Sequence, residues 1–152
     1  MDQFRLFFRF SGMLCLLSLI SSCDNQSGSS AIKPPGEKKA APATKTTITE
    51  VTSAEAKAKL AANPKIVVID VRTPEEFAGG HIEGAKNINF NSPDFEKKLR
   101  GLDRKTTYLI HCHSGGRSGR AKAVFKELGF EHILHLTHGL GEWEAQGNQV
   151  VK

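Results

Sequence analysis

An α/β fold with a mostly parallel sheet covered by helices on both faces is predicted from three observations. Short β-branched runs alternate with helix-like stretches from residue 47 onward, the arrangement of strand–helix–strand units. The run Ile66-Val67-Val68-Ile69-Asp70-Val71 is almost continuously apolar, as in a strand buried on both faces. Ala121, Val124, Phe125 and Leu128 fall at i, i+3, i+4 and i+7, one apolar stripe of a helix.

The elements follow in order. Thr47 to Val51 reads as a strand, and Ser53 as the cap of a helix running through Ala62 to the stop Asn63-Pro64. After the 66–71 strand, Thr73-Pro74-Glu75-Glu76 is a capping box with proline at the first helical position, and Gly79-Gly80 ends that short helix. Lys86 to Asn89 is a short strand. Ser92-Pro93-Asp94 opens a helix with Phe95, Leu99 and Leu102 on one face. Thr106 to Cys112 is a strand, the striped helix stops at Gly129, and His132 to Leu136 is the last strand. A short helix around Trp143 follows Gly139.

Residues 1–46 have a different texture. Arg5 and Arg9 precede an apolar stretch from Met13 to Ile20, too short to span a bilayer comfortably and of signal-peptide form. It ends in Leu19-Ile20-Ser21-Ser22-Cys23, which resembles a bacterial lipoprotein signal. The resemblance implies removal of residues 1–22, lipidation of Cys23 and a place in the cell envelope facing the periplasm. A plain signal peptide or an uncleaved anchor are the other readings. Residues 23–46 are polar and rich in Gly, Ser, Pro and Ala, a tether between anchor and domain. The net charge is +5. With no Lys/Arg stripe interleaved with aromatics, nucleic acid is not an expected partner. Of three cysteines, Cys15 lies in the removed segment and Cys23 carries lipid, so Cys112 is left as the single free thiol.

Cys112 sits where chemistry is expected. His111-Cys112-His113-Ser114-Gly115-Gly116-Arg117-Ser118 joins a strand to a helix. Ligands of open parallel sheets bind beyond the carboxyl ends of strands. A short glycine-containing loop can turn several N–H groups onto one point, and a helix N-terminus adds donors and a positive dipole end. A cysteine in that setting is a thiolate at neutral pH. Arg117 suits oxyanions through its planar fork. The target is therefore an anionic electrophile: a sulfane-sulfur compound such as thiosulfate, or a phosphate or arsenate ester. Four residues separate Cys112 from Arg117, a small cradle that favours a single terminal sulfur over a tetrahedral phosphoryl group.

Three blocks recur together in rhodanese domains, and residues 47–152 resemble a single such domain. They are Asp70-Val71-Arg72-Thr73-Pro74-Glu75-Glu76-Phe77, Gly80-His81-Ile82-Glu83-Gly84-Ala85-Lys86-Asn87-Ile88, and Cys112 through Ser118, with a weaker tail at Gly129-Phe130 and Gly139-Leu140-Gly141-Glu142-Trp143. The resemblance implies a five-stranded sheet and sulfur transfer from thiosulfate or a related donor, through a Cys112 persulfide, to a thiol or cyanide. No cofactor or metal is expected. A periplasmic sulfur-carrier or partner-binding module with little turnover is the alternative, and a phosphatase or arsenate reductase a third reading. The expected site is Cys112 as nucleophile, with Arg117, His113, Ser114, Gly115, Gly116 and Ser118 around the substrate. Asp70 and Arg72 are expected as an ion pair supporting the loop. Strand alternation turns His111 away from Cys112. His81 is read as a structural hydrogen-bonder and Trp143 as core at the pocket rim.

Overall fold

A computed structural model describes residues 45–152. The expected signal peptide, Cys23 and all but the end of the expected tether lie outside the described residues. The domain contains β1 (Thr47–Val51), α1 (Ser53–Ala62), β2 (Val67–Asp70), α2 (Pro74–Gly79), β3 (Lys86–Asn87), α3 (Phe95–Arg100), β4 (Thr107–His111), α4 (Gly116–Glu127), β5 (His132–Leu136) and α5 (Gly139–Ala145). All strand pairs are parallel and the order is β1-β5-β4-β2-β3.

Alternation along the strands separates two cores. Ile69, Tyr108, Ile110, Cys112 and Ile133 face α3 and α4, packing on Phe95, Leu99, Ala121 and Phe125. Val51, Val68, Leu109 and Leu136 face α1 and α5, packing on Ala56, Leu140 and Trp143. Apolar side chains on both faces explain why the 66–71 run lacks polar alternation. Trp143 is core, as read, but it lies in the cluster on the face opposite Cys112.

Local chemistry sets most boundaries, with two corrections. The cap of α1 is Thr52, not Ser53. The Glu55 amide donates to Thr52 Oγ1 at 3.3 Å, and the Thr52 amide donates to Glu55 Oε2 at 2.8 Å. Closing this reciprocal box needs a Glu or Gln three residues past the cap, and three residues past Ser53 stands Ala56. Ser53 is buried in the first turn and donates to Glu142 Oε2 at 3.0 Å, tying α1 to α5. Leu102 packs on the core, but α3 stops at Arg100 and Gly101, so Leu102 belongs to the turn that follows. The Thr73–Glu76 box of α2 forms as read.

Two glycines let the loop after β4 press against the turn after β5. Gly115 is left-handed (φ 87°), and a Cβ there would stand 1.7 Å from the Thr137 carbonyl oxygen. Gly139 is also left-handed (φ 64°), and its Cβ would stand 2.4 Å from the Cys112 oxygen. The close approach allows two hydrogen bonds, Leu140 N–H to Cys112 O (2.8 Å) and Gly141 N–H to His113 O (2.9 Å). Gly116, by contrast, would meet nothing within 4 Å. Gly115→Ala is therefore expected to lower unfolding free energy by at least ~2 kcal/mol. Gly116→Ala should stay within ~0.5 kcal/mol of the parent. Urea denaturation of the two variants checks the contrast.

Candidate active site

The site is built at the carboxyl end of β4, where Cys112 follows the last strand residue and is 1% exposed. A trans peptide points its N–H opposite to its C=O. Because α5 holds the His113 carbonyl from behind, the Ser114 amide turns toward the Cys112 sulfur. The other donors come from the start of α4, whose left-handed cap Gly115 leaves the first amides unpaired. The amides of Arg117 and Ser118 reach Sγ, and the Ser118 hydroxyl lies 3.6 Å from it. Burial acts to raise the thiol's pKa. The Ser118 amide and hydroxyl and the Ser114 and Arg117 amides oppose this, and the net result lies below the ordinary thiol value. The sulfur is thus sheltered and stabilised as an anion.

The structure brings the remaining expected loop residues around this sulfur. Gly115 and Gly116 form the bend and first helical position, and Ser118 is fully buried. Ser114 and His113 have exposed side chains at the rim, so their backbone groups do the shaping. Arg117 lies beside Cys112 but does not wait unpaired. Its Nη1 and Nη2 donate to Glu76 Oε2 and Oε1 at 2.6 and 2.7 Å. These bonds from Arg117 hold the Glu76 carboxyl down to about 2, and they raise the Arg117 pKa in turn. Glu76 closes the cap of α2 as well. The sequence reading found only that capping role; a second role needed the distance from α2 to α4.

Asp70 and Arg72 form a buried pair on the other face of the sheet. Arg72 Nη2 donates to Asp70 Oδ2 at 2.7 Å and to the Gly80 carbonyl at 2.6 Å. The Asn87 side-chain amide donates to the carbonyls of both residues. The pair therefore fixes the turn after β2, and it does not touch the Cys112 sulfur. That imidazole is fully buried and faces away from the thiol. Its Nδ1 donates to the Cys112 carbonyl at 3.2 Å, and its Nε2 stands 3.9 Å from Asp70. Burial lowers its pKa against the pull of Asp70, which keeps it neutral. His81 stacks on Phe77 and donates from Nδ1 to the Phe77 carbonyl.

Two further residues escaped the sequence reading. His135 on β5 is 4% exposed, and its Nε2 lies 3.0 Å from Ser118 Oγ. Its Nδ1 lies 2.5 Å from Glu50 Oε2 on β1, and Lys122 Nζ meets Glu50 Oε1 at 2.6 Å. The strand register that pairs Glu50 with His135 was not available from the sequence.

Residues 52–146 match the family described as Rhodanese-like domain. The chain is 33% identical over 99 residues to the putative sulfurtransferase YtwF of Bacillus subtilis, covering 65% of this chain and 93% of that one. It is 34% identical over 65 residues to the thiosulfate sulfurtransferase PspE of Escherichia coli, covering 43% and 62%. The crystal structure of a rhodanese-related protein from Thermoplasma volcanium superimposes with a TM-score of 0.61 at 27% identity, covering 68% of this chain and 97% of that one. The chain spans about half the length of several other curated relatives it matches. With the fold, the loop and these likenesses in agreement, the chain belongs to the rhodanese-like family.

Proposed function

We propose that this protein moves sulfane sulfur from thiosulfate or a related donor to a thiol or cyanide through a persulfide on Cys112. The observation that carries the reading is the convergence of three backbone amides and one hydroxyl on a buried sulfur. The Cys112 thiolate attacks the outer sulfur of thiosulfate. A new S–S bond forms, the old one breaks, and sulfite leaves with the electron pair. The loop amides hold the terminal sulfur of the persulfide, which an acceptor then attacks, returning Cys112 as thiolate. The name of PspE, a thiosulfate sulfurtransferase, supports the choice of donor.

The bidentate contact between Arg117 and Glu76 shapes donor affinity. An arriving dianion competes with a carboxylate already seated on the guanidinium. Neutral dipoles of the loop therefore supply much of the hold on the donor.

We place the domain in the bacterial envelope, tethered by lipid on Cys23 and facing the periplasm. The basic start, short apolar segment and Leu19-Ile20-Ser21-Ser22-Cys23 ending support this, as does the polar stretch that follows. The acceptors are then periplasmic small thiols or a periplasmic protein thiol.

Three outcomes are expected. After incubation with thiosulfate and desalting, the proteolytic peptide carrying Cys112 should gain one sulfur atom by mass. The gain should vanish with cyanide and be missing in Cys112→Ser; turnover surviving in that folded variant sinks the mechanism. Arg117→Ala should raise the KM for thiosulfate about tenfold. Glu76→Gln, which keeps the helix cap and frees Arg117, should lower it, and steady-state kinetics decides. Cys23→Ser should move the protein from the membrane fraction to the soluble envelope fraction, read by immunoblot; unchanged fractionation argues against lipidation.

A further inference from the structure

Ser118 has one hydroxyl hydrogen and three neighbours that can take it. They are the Gly115 carbonyl at 3.1 Å, His135 Nε2 at 3.0 Å and Cys112 Sγ at 3.6 Å. The Gly115 carbonyl already accepts from the Gly119 amide at 2.7 Å. The choice between the other two depends on His135. Glu50 and His135 sit side by side in the β1–β5 register, and Glu50 is half exposed with Lys122 on its other oxygen. Burial works against its ionisation, but the bonds from Lys122 and His135 prevail and hold it as a carboxylate. A carboxylate only accepts, so His135 Nδ1 carries a hydrogen and donates to it.

That leaves Nε2 with two states. When the imidazole is neutral, Nε2 is bare and draws the Ser118 hydrogen, leaving Sγ without the hydroxyl donor. When the imidazole is protonated, Nε2–H donates to Ser118 Oγ. The hydroxyl hydrogen is then free for the sulfur anion, the stronger acceptor. The two states interconvert by a balanced shift. The Cys112 S–H bond breaks as an O–H bond forms at Ser118. The original Ser118 O–H bond breaks as an N–H bond forms at Nε2. No proton is gained or lost, and the new imidazolium faces the Glu50 carboxylate.

We propose that His135, oriented by Glu50, is a positioning residue that takes up and returns the Cys112 proton through the Ser118 hydroxyl. The proposal rests on Cys112 being the sulfur-transfer nucleophile and adds the device that readies it. His135 lies on the same sheet face as Cys112, covered by α4. The charged and titratable groups around the relay are Glu50 from β1, Lys122 and Arg117 from α4, Glu76 from α2, and Cys112 after β4. His111, Asp70 and Arg72 belong to the other face. The relay also links a buried sulfur to the surface by a route separate from the mouth of the loop, since Glu50 is 48% exposed.

The test follows alkylation of Cys112 by iodoacetamide in the full chain between pH 4 and 10, read by mass on the peptide that carries Cys112. In the parent the rate should rise in two steps, the first below the ordinary thiol range of about 8.5. His135→Gln keeps a donor near Ser118 but cannot take up a proton. Its profile should collapse to one step, with the rate near pH 6 lowered about tenfold. Glu50→Gln, at the sheet edge, should shift the profile the same way. In a Ser118→Ala background, His135→Gln should have no further effect. A His135→Gln profile that overlays the parent, or an equal shift without Ser118, overturns the relay. Persulfide formation is read separately: two-step alkylation without sulfur uptake from thiosulfate would leave the relay standing and remove the donor assignment.

Discussion

The carbonyls of Cys112 and His113 accept hydrogen bonds from the first amides of α5, and the rest of the site depends on that anchoring. A loop free to turn would point some carbonyl oxygens at the sulfur and some amides at water. Fixing two carbonyls outward sets the sense of the peptides between them, so that dipoles add rather than cancel. The anchoring needs backbone on backbone at distances only glycine allows, supplied by Gly115 and Gly139. It also needs β4 and β5 to be neighbours, which the strand order provides.

Taking a thiol out of water disfavours its anion, and the sign of the result at Cys112 is decided by how many donors replace the lost water. Most of those donors are uncharged. The guanidinium of Arg117 is shared with Glu76, so the positive charge nearest the sulfur is largely matched before any substrate arrives. Selectivity in such a cradle comes from shape and dipole direction more than from net charge. Each residue acts through a neighbour: Glu76 through Arg117, and His111 through a carbonyl.

Much of this was readable from the chain. The alternation of apolar runs with capped segments located every element. The Cys112–Ser118 stretch pointed to a donor-lined loop around a thiol, because its residues are contiguous and local chemistry determines how they fold. The cap of α1 shifted by one residue because Thr52 and Ser53 both have suitable hydroxyls, and only the partner glutamate distinguishes them. Glu76, His135 and Glu50 were hidden for a different reason. Each meets its partner across a long sequence separation, 41 residues for Glu76 and Arg117 and 85 for Glu50 and His135. Such meetings depend on which strands are adjacent and in what register, and composition or spacing carries little of that information. Asp70 and Arg72, two residues apart, were recognised as a pair for the opposite reason.

The placement of β1 governs the order in which the domain can assemble. Among the described residues this edge strand pairs with β5 alone, so its pairing needs nearly the whole domain to be present. Closing a loop of that length costs more entropy than pairing strands nearer in sequence. The sheet interior, β4 with β2 and β5, can gather first and bury the thiol in its nest. The imidazole of His135 meets its carboxylate only when β1 arrives. The contact that orients His135 therefore exists only in a chain whose first and last strands have paired, so the edge strand farthest from Cys112 in sequence is the one that completes its surroundings.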